Sequence, residues 1–203
     1  MAHHPDPANP PPAASPAGPS RLQWLLVRLA LAFLVGLSVI PSLAFTVAQP
    51  WQIRGHSMEP SLEDGSMVFV DALGPWVGGY ARGDVVIAPV PPTTQYAHPV
   101  LVKRIIALGG DHVRIERGRV WINGTRMPEP YLAPGTVTPT GPMPLDVVVP
   151  AGAVFVMGDH RANSFDSTSF GPIPASSLLG RAWLAVAPGG GLELAGAVAG
   201  EGR

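Results

Sequence analysis

Cysteine is absent from the 203 residues, so disulfides, thiolate zinc sites and cysteine nucleophiles are all excluded. That absence does not fix a redox compartment. Charge is scarce too. Asp, Glu, Lys and Arg make up 13% of the chain, and the formal net charge is −1. Phosphate binding needs a basic face, so nothing argues for nucleic acid as a partner. No metal-ligand constellation and no nucleotide-binding glycine loop stands out, and no cofactor, metal or nucleotide is expected. Lysine is nearly missing as well. Lys103 is the only one, and every other strong base is arginine.

What the chain has instead is apolar surface, at 46% of residues, a balance that points toward a membrane. Residues 1–20 are Pro/Ala-rich with little to bury and read as a disordered, cytoplasmic tail in which His3 and His4 are bystanders. Residues 21–50 read as a transmembrane anchor. No charge occurs from Leu29 to Val47, close to the roughly 20 apolar residues that a helix needs to cross a bilayer. Arg28 can snorkel, Trp24 and Trp51 bracket the run as interface anchors, and Pro41 can kink it. A buried soluble helix and a cleaved signal peptide, with small residues at Ser42 and Ala44, are the competing readings. Arg21 and Arg28 precede the run, and Arg54, Glu59, Glu63 and Asp64 follow it. This bias predicts a single pass with the N-terminus in the cytoplasm, the rest outside, and the plasma (inner) membrane as location.

Beyond the run the periodicity is β. Ser66–Val70, Asp84–Val90, Leu101–Leu108, Val147–Pro150, Val154–Met157 and Trp183–Val186 read as strands. His112–Ile122 alternates around a turn at Arg117-Gly118, and Asn123-Gly124 is a strong hairpin signal. Gly78-Gly79 reads as a turn and Met127–Pro144 as a loop. The expectation is a mainly β sandwich or barrel over residues 51–187, with a hairpin or loop excursion at about 111–150 and a fraying Gly/Ala-rich tail at 188–203.

Three stretches carry candidate chemistry. Gly55-His56-Ser57-Met58-Glu59-Pro60-Ser61-Leu62 is a poorly helical peptide, and Pro60 biases Glu59 toward extended backbone, so Ser57 is presented on a turn. Capping or solvation is the ordinary use of such a serine. Lys103 lies among Leu101, Val102, Ile105 and Ile106. Arginine stays protonated, whereas a desolvated lysine can lose its proton. A neutral amine beside a serine hydroxyl is a serine–lysine base and nucleophile; a snorkelling strand lysine is the bland alternative. Met157–Gly171 is dense in hydrogen-bonding side chains and reads either as a polar loop or as a shell that orients the lysine. A Ser-His-Asp hydrolase using His56, His98, His112 or His160 is a rival, although no Gly-x-Ser-x-Gly elbow occurs. So are a self-cleaving Ser–Lys repressor and a non-catalytic tethered β-domain that binds exported chains.

Taken in order, Ser57-Met58-Glu59-Pro60-Ser61, Gly83-Asp84-Val85-Val86, Lys103–Asp111 and Gly158–Ser167 resemble the boxes of type I signal peptidases, and an apolar run precedes them as in that family. The resemblance covers about Trp51 to Val186. It implies a membrane-anchored serine endopeptidase that removes signal peptides from exported preproteins after small-X-small motifs, with preproteins and membrane lipid as partners. By resemblance, Ser57 is the nucleophile and Lys103 the general base. Ser164 hydrogen-bonds and orients Lys103, and Asp166 and Asp159 brace the site. Ile53, Met58, Leu62, Leu101 and Val102 line shallow pockets. The oxyanion hole draws on the Ser57 N–H and the Gly55 region, since Gly55 stands where some members carry a serine hydroxyl. His160, Ala162 and Thr168 replace the usual asparagine, aspartate and arginine, so the ion pair expected for Asp166 is missing.

Overall fold

The computed structural model describes residues 20–91, 100–140 and 145–195. The readings of residues 1–19, His98 and the end of the tail lie outside that set.

Helix α1 spans Arg21–Val47 with Pro41 inside it. Its stretch Arg21–Val39 is long and apolar enough to cross a membrane. Leu22, Leu29, Phe33, Leu37 and Val39 are each more than half exposed, so no protein core covers them. The helix ends at Val47. Strand β1, Gln49–Gln52, follows, and its Trp51 packs half-buried against a β core rather than standing free as an interface residue. A four-residue strand with two glutamines and a proline is too short to show a periodicity that would mark it.

The remaining strands are β2 Met67–Asp71, β3 Val85–Pro89, β4 Val100–Leu108, β5 His112–Glu116, β6 Arg119–Ile122, β7 Thr125–Arg126, β8 Leu145–Val148, β9 Ala153–Met157, β10 Ile173–Pro174, β11 Gly180–Val186 and β12 Leu192–Glu193. Two short helices, α2 Gly74–Gly78 and α3 Ser167–Phe170, join them. The mainly β expectation holds. One antiparallel sheet runs β1-β2-β11-β3-β4-β9-β10, with β12 beside β11; the second runs β7-β6-β5-β8. Gly78-Gly79 closes α2 rather than forming a plain turn. The stretch after residue 188 does not simply fray, because Leu192 and Glu193 pair with Val186 and Ala185. The excursion at 111–150 is the second sheet. Its hairpin turns are the expected ones, with Arg117 and Asn123 at positive φ.

Alternation along β3 divides the core of the large sheet. Val85 and Ile87 join Ile53, Met58, Leu62, Val68 and Val70, while Val86 and Ala88 join Ile105, Val154 and Val156. A further cluster, including Ile115, Val120 and Phe155, fills the small sheet's inner face. Asp111 stands where β4 passes to β5. Its carboxylate accepts from Arg82, from Asn123 Nδ2 and from the Leu108 N–H, so it ties both sheets to one joint.

Candidate active site

The Ser57 turn is held from both ends. Ile53 N donates to the Ser66 carbonyl at 2.8 Å, and Gly65 N returns a bond to the Ile53 carbonyl at 3.1 Å. Gly55 donates its N–H to Asp64 Oδ1 at 2.7 Å and has φ +97°, a left-handed value that favours glycine. Glu59 N and Leu62 N close the turn on the His56 and Met58 carbonyls, and the Glu59–Pro60 peptide is cis. No acceptor among the described residues takes the Ser57 N–H.

Lys103 stands in β4, paired with Val86 on β3. Strands on both sides of β4 bury it to 1% exposure. Its Nζ donates to Ser57 Oγ at 2.7 Å and to the Val102 carbonyl at 3.0 Å. Burial lowers its pKa from the ordinary 10.5 to about 8, while the carboxylates of Asp166 and Asp159 pull it back up. The amine is therefore available as a base near neutral pH. Once neutral, it can accept the Ser57 proton through its lone pair while still donating to the Val102 carbonyl.

The Met157–Gly171 stretch packs against this pair. Gly158 has no room for a side chain, since a Cβ there would lie 2.3 Å from Ser164 Oγ and 2.5 Å from the Ser57 carbonyl oxygen. Ser164 Oγ is buried with no hydrogen-bond partner among the described residues, so the expected bond to Lys103 is not formed in this arrangement. Asp166 N-caps α3. It accepts from the Thr168 N–H at 3.0 Å, the Thr168 hydroxyl at 2.8 Å and the Gly158 N–H at 2.9 Å. Threonine thus supplies locally what a missing arginine would have supplied by charge. Asp159 braces through Arg104, which donates from Nε and a terminal nitrogen at 2.9 and 2.7 Å.

Ile53, Met58 and Leu62 share one core cluster against which Val102 packs; Leu101 is buried but outside it. Ile53, Met58, Leu62 and Leu101 are buried and Val102 half-buried, all apolar and close to Ser57 or Lys103 in the chain. The histidine alternatives diverge from Ser57 Oγ. His56 Nδ1 meets Glu59, His112 meets Asp146, and His160 Nδ1 meets the His56 carbonyl.

Several positions around the site escaped the sequence reading. Arg104 Cζ lies 4.2 Å from the centroid of the Tyr131 ring. Arg161 donates to Glu129 Oε1, to Thr138 Oγ1 and to the Gly158 carbonyl. Ser61 Oγ donates to the Tyr131 carbonyl. The signal available was only that Glu129-Pro130-Tyr131 puts charge and an aromatic into an otherwise Pro/Gly-rich segment.

The family described as signal peptidase, peptidase S26, matches residues 24–187. Signal peptidase I U of Bacillus subtilis is 36% identical over 140 residues, covering 64% of this chain and 72% of that protein. Signal peptidase IB of Staphylococcus aureus is 31% identical over 174 residues, covering 79% and 86%. A crystal structure of a signal peptidase I from Enterococcus faecalis aligns with TM-score 0.41 and 27% identity, covering 50% of this chain and 95% of that one. A match along most of the chain, together with relatives aligned over most of their own length, places this protein in the signal peptidase family of peptidases, S26.

Proposed function

We propose that the protein removes N-terminal signal peptides from exported preproteins, with Ser57 as nucleophile and Lys103 as general base. The observation that carries this reading is the 2.7 Å contact between Lys103 Nζ and Ser57 Oγ, made by an amine held out of water. Neutral Lys103 takes the Ser57 proton as Oγ bonds to the scissile carbonyl carbon. The oxyanion forms against the Ser57 N–H. Lys103 then gives the proton to the leaving amine, the C–N bond breaks and an acyl-serine remains. Lys103 next deprotonates a water, whose oxygen bonds to the acyl carbon; the bond to Ser57 Oγ breaks, Lys103 returns the proton to Oγ, and the signal peptide leaves with a new carboxyl group. Asp166 and Asp159 hold the lysine's surroundings.

The apolar side chains of Ile53, Met58, Leu62, Leu101 and Val102 favour small side chains at the first and third positions before the cut. Helix α1 is the membrane anchor. The arginines Arg21 and Arg28 hold the N-terminal tail in the cytoplasm, and the β-domain of residues 51–187 works outside the plasma membrane.

Cleavage of a preprotein by the purified full chain in detergent tests the dyad. Ser57→Ala and Lys103→Arg should both be inactive although folded by circular dichroism, because arginine keeps the charge but offers no free base. Cleavage by Lys103→Arg near the wild-type rate would move the base elsewhere. Protease added to spheroplasts should digest the β-domain; full protection before lysis would reverse the topology.

A further inference from the structure

We propose that His160 is a positioning residue for the oxyanion donor, acting through the peptide that joins His56 to Ser57. This rests on the dyad reading above. Two bonds from one residue grip consecutive carbonyls of the nucleophile turn. The His160 main-chain N–H donates to the Ser57 carbonyl at 3.0 Å, and its ring Nδ1 lies 3.1 Å from the His56 carbonyl. A carbonyl oxygen can only accept, so the bonded ring nitrogen carries the proton. The peptide between His56 and Ser57 is a rigid trans plane, with the His56 C=O at one edge and the Ser57 N–H at the other. Holding the oxygen therefore aims the N–H. That N–H is the donor with no acceptor among the described residues. The Glu59 N–H donates to the same His56 oxygen at 3.2 Å, so the plane is fixed by two donors from different segments. The absent side chain at Gly158 is what lets the 158–160 segment come this close to the Ser57 carbonyl.

Asparagine at position 160 would offer the same grip as histidine. Both side chains place an N–H one bond beyond Cγ, so both can reach the same carbonyl. An ionised aspartate has the shape of asparagine but no proton to give. Protonation of the ring leaves the Nδ1–H in place, so the grip does not depend on the charge of His160.

The test uses the full-length protein in detergent with a preprotein substrate. Wild type and Ser57→Ala first establish dyad-dependent cleavage; failure at that step counts against the proposed function, not against His160. Then His160→Ala, His160→Asn and His160→Asp are compared. Expected are a fall in kcat of about tenfold to a hundredfold for His160→Ala and His160→Asp, since a misaimed donor costs part of what a deleted one costs. KM should stay within about twofold of wild type, because the grip acts on the transition state. His160→Asn should recover to within a few-fold of wild type. The rise of kcat with pH should not move in His160→Asn. If His160→Ala fails to fold, the isosteric Asn and Asp pair decides alone. Wild-type kcat in His160→Ala or His160→Asp, equal impairment of Asn and Asp, or a change confined to KM would each overturn the proposal.

Discussion

Arg161 and Glu129 meet at 2.5 Å although they lie thirty-two residues apart, one beside the nucleophile turn and the other in the excursion after β7. The arginine side chain is fully buried and the glutamate 11% exposed. Removing one partner of such a pair strands the other charge out of water, which costs about 3–5 kcal/mol. Glu129→Ala should therefore lose stability of that order in urea titration, and cleavage activity should fall with it. Glu129→Gln keeps an acceptor for the guanidinium and should lose less. An unchanged midpoint in Glu129→Ala would mean that Arg161 finds its partner elsewhere.

Activity should follow the ionisation of Lys103. The neutral amine is the working form and its pKa lies at about 8. The rate should thus rise about tenfold per pH unit well below 8 and level off above it. Asp166 holds that pKa up, so Asp166→Asn should move the rise to lower pH. A rise that stays put, or moves to higher pH, contradicts the electrostatics described for the site.

Stability should show the same group with the opposite interest. The folded protein binds the Lys103 proton more weakly than the unfolded chain does. The cost of burying the ammonium is therefore fully present below pH 8, shrinks between about 8 and 10.5, and is gone above. Lys103→Met should stabilise the protein most at pH 7, by up to about 3 kcal/mol, less what the two Nζ hydrogen bonds contribute. Thermal melts across pH 7–10.5 should show that advantage narrowing. A constant difference would mean that folded and unfolded chains bind the Lys103 proton equally, so that burial does not shift its pKa.

Two glycines should fail in different ways. Gly55 has open space where a Cβ would go but a φ of +97°, so Gly55→Ser should cost about 1–2 kcal/mol through backbone strain. Gly158→Ala instead drives a methyl into Ser164 Oγ and the Ser57 carbonyl. Its activity should drop far more than its melting temperature. Wild-type activity in Gly158→Ala would show that the crowding there relaxes harmlessly.

The large sheet was readable because Val85–Pro89 and Val100–Leu108 are short, near-continuous apolar runs, as expected of strands buried on both faces, and turn chemistry at Arg117-Gly118 and Asn123-Gly124 placed the small sheet's hairpins. Strand β1 was hidden because Gln-Pro-Trp-Gln is too short, and too poor in strand-forming residues, to show a period of its own. Strand β12 was hidden because pairing to β11, not side-chain pattern, makes it a strand. At the site, Ser57 and Lys103 carried local signals: a presented serine, and a lysine where arginine is the rule. Glu129 and Tyr131 showed only a charge and an aromatic in a Pro/Gly-rich segment, and Thr138 showed nothing. Their roles are contacts across long sequence separations, and a Pro/Gly-rich segment has no period to reveal which side chains turn inward. Thr168 shows the reverse error. Counting charges made its site look incomplete, while a hydroxyl and an N–H already satisfied Asp166.

Lys103 is the chain's only ε-amine, and it is 1% exposed. An amine-reactive reagent can therefore meet just two kinds of nitrogen in this protein, the chain's own N-terminus and a lysine sealed inside β-structure. Acylation of the second requires that structure to open. The extent of labelling at one nitrogen becomes a clock for the breathing of the sheet around it, with no engineered probe and no background from other lysines.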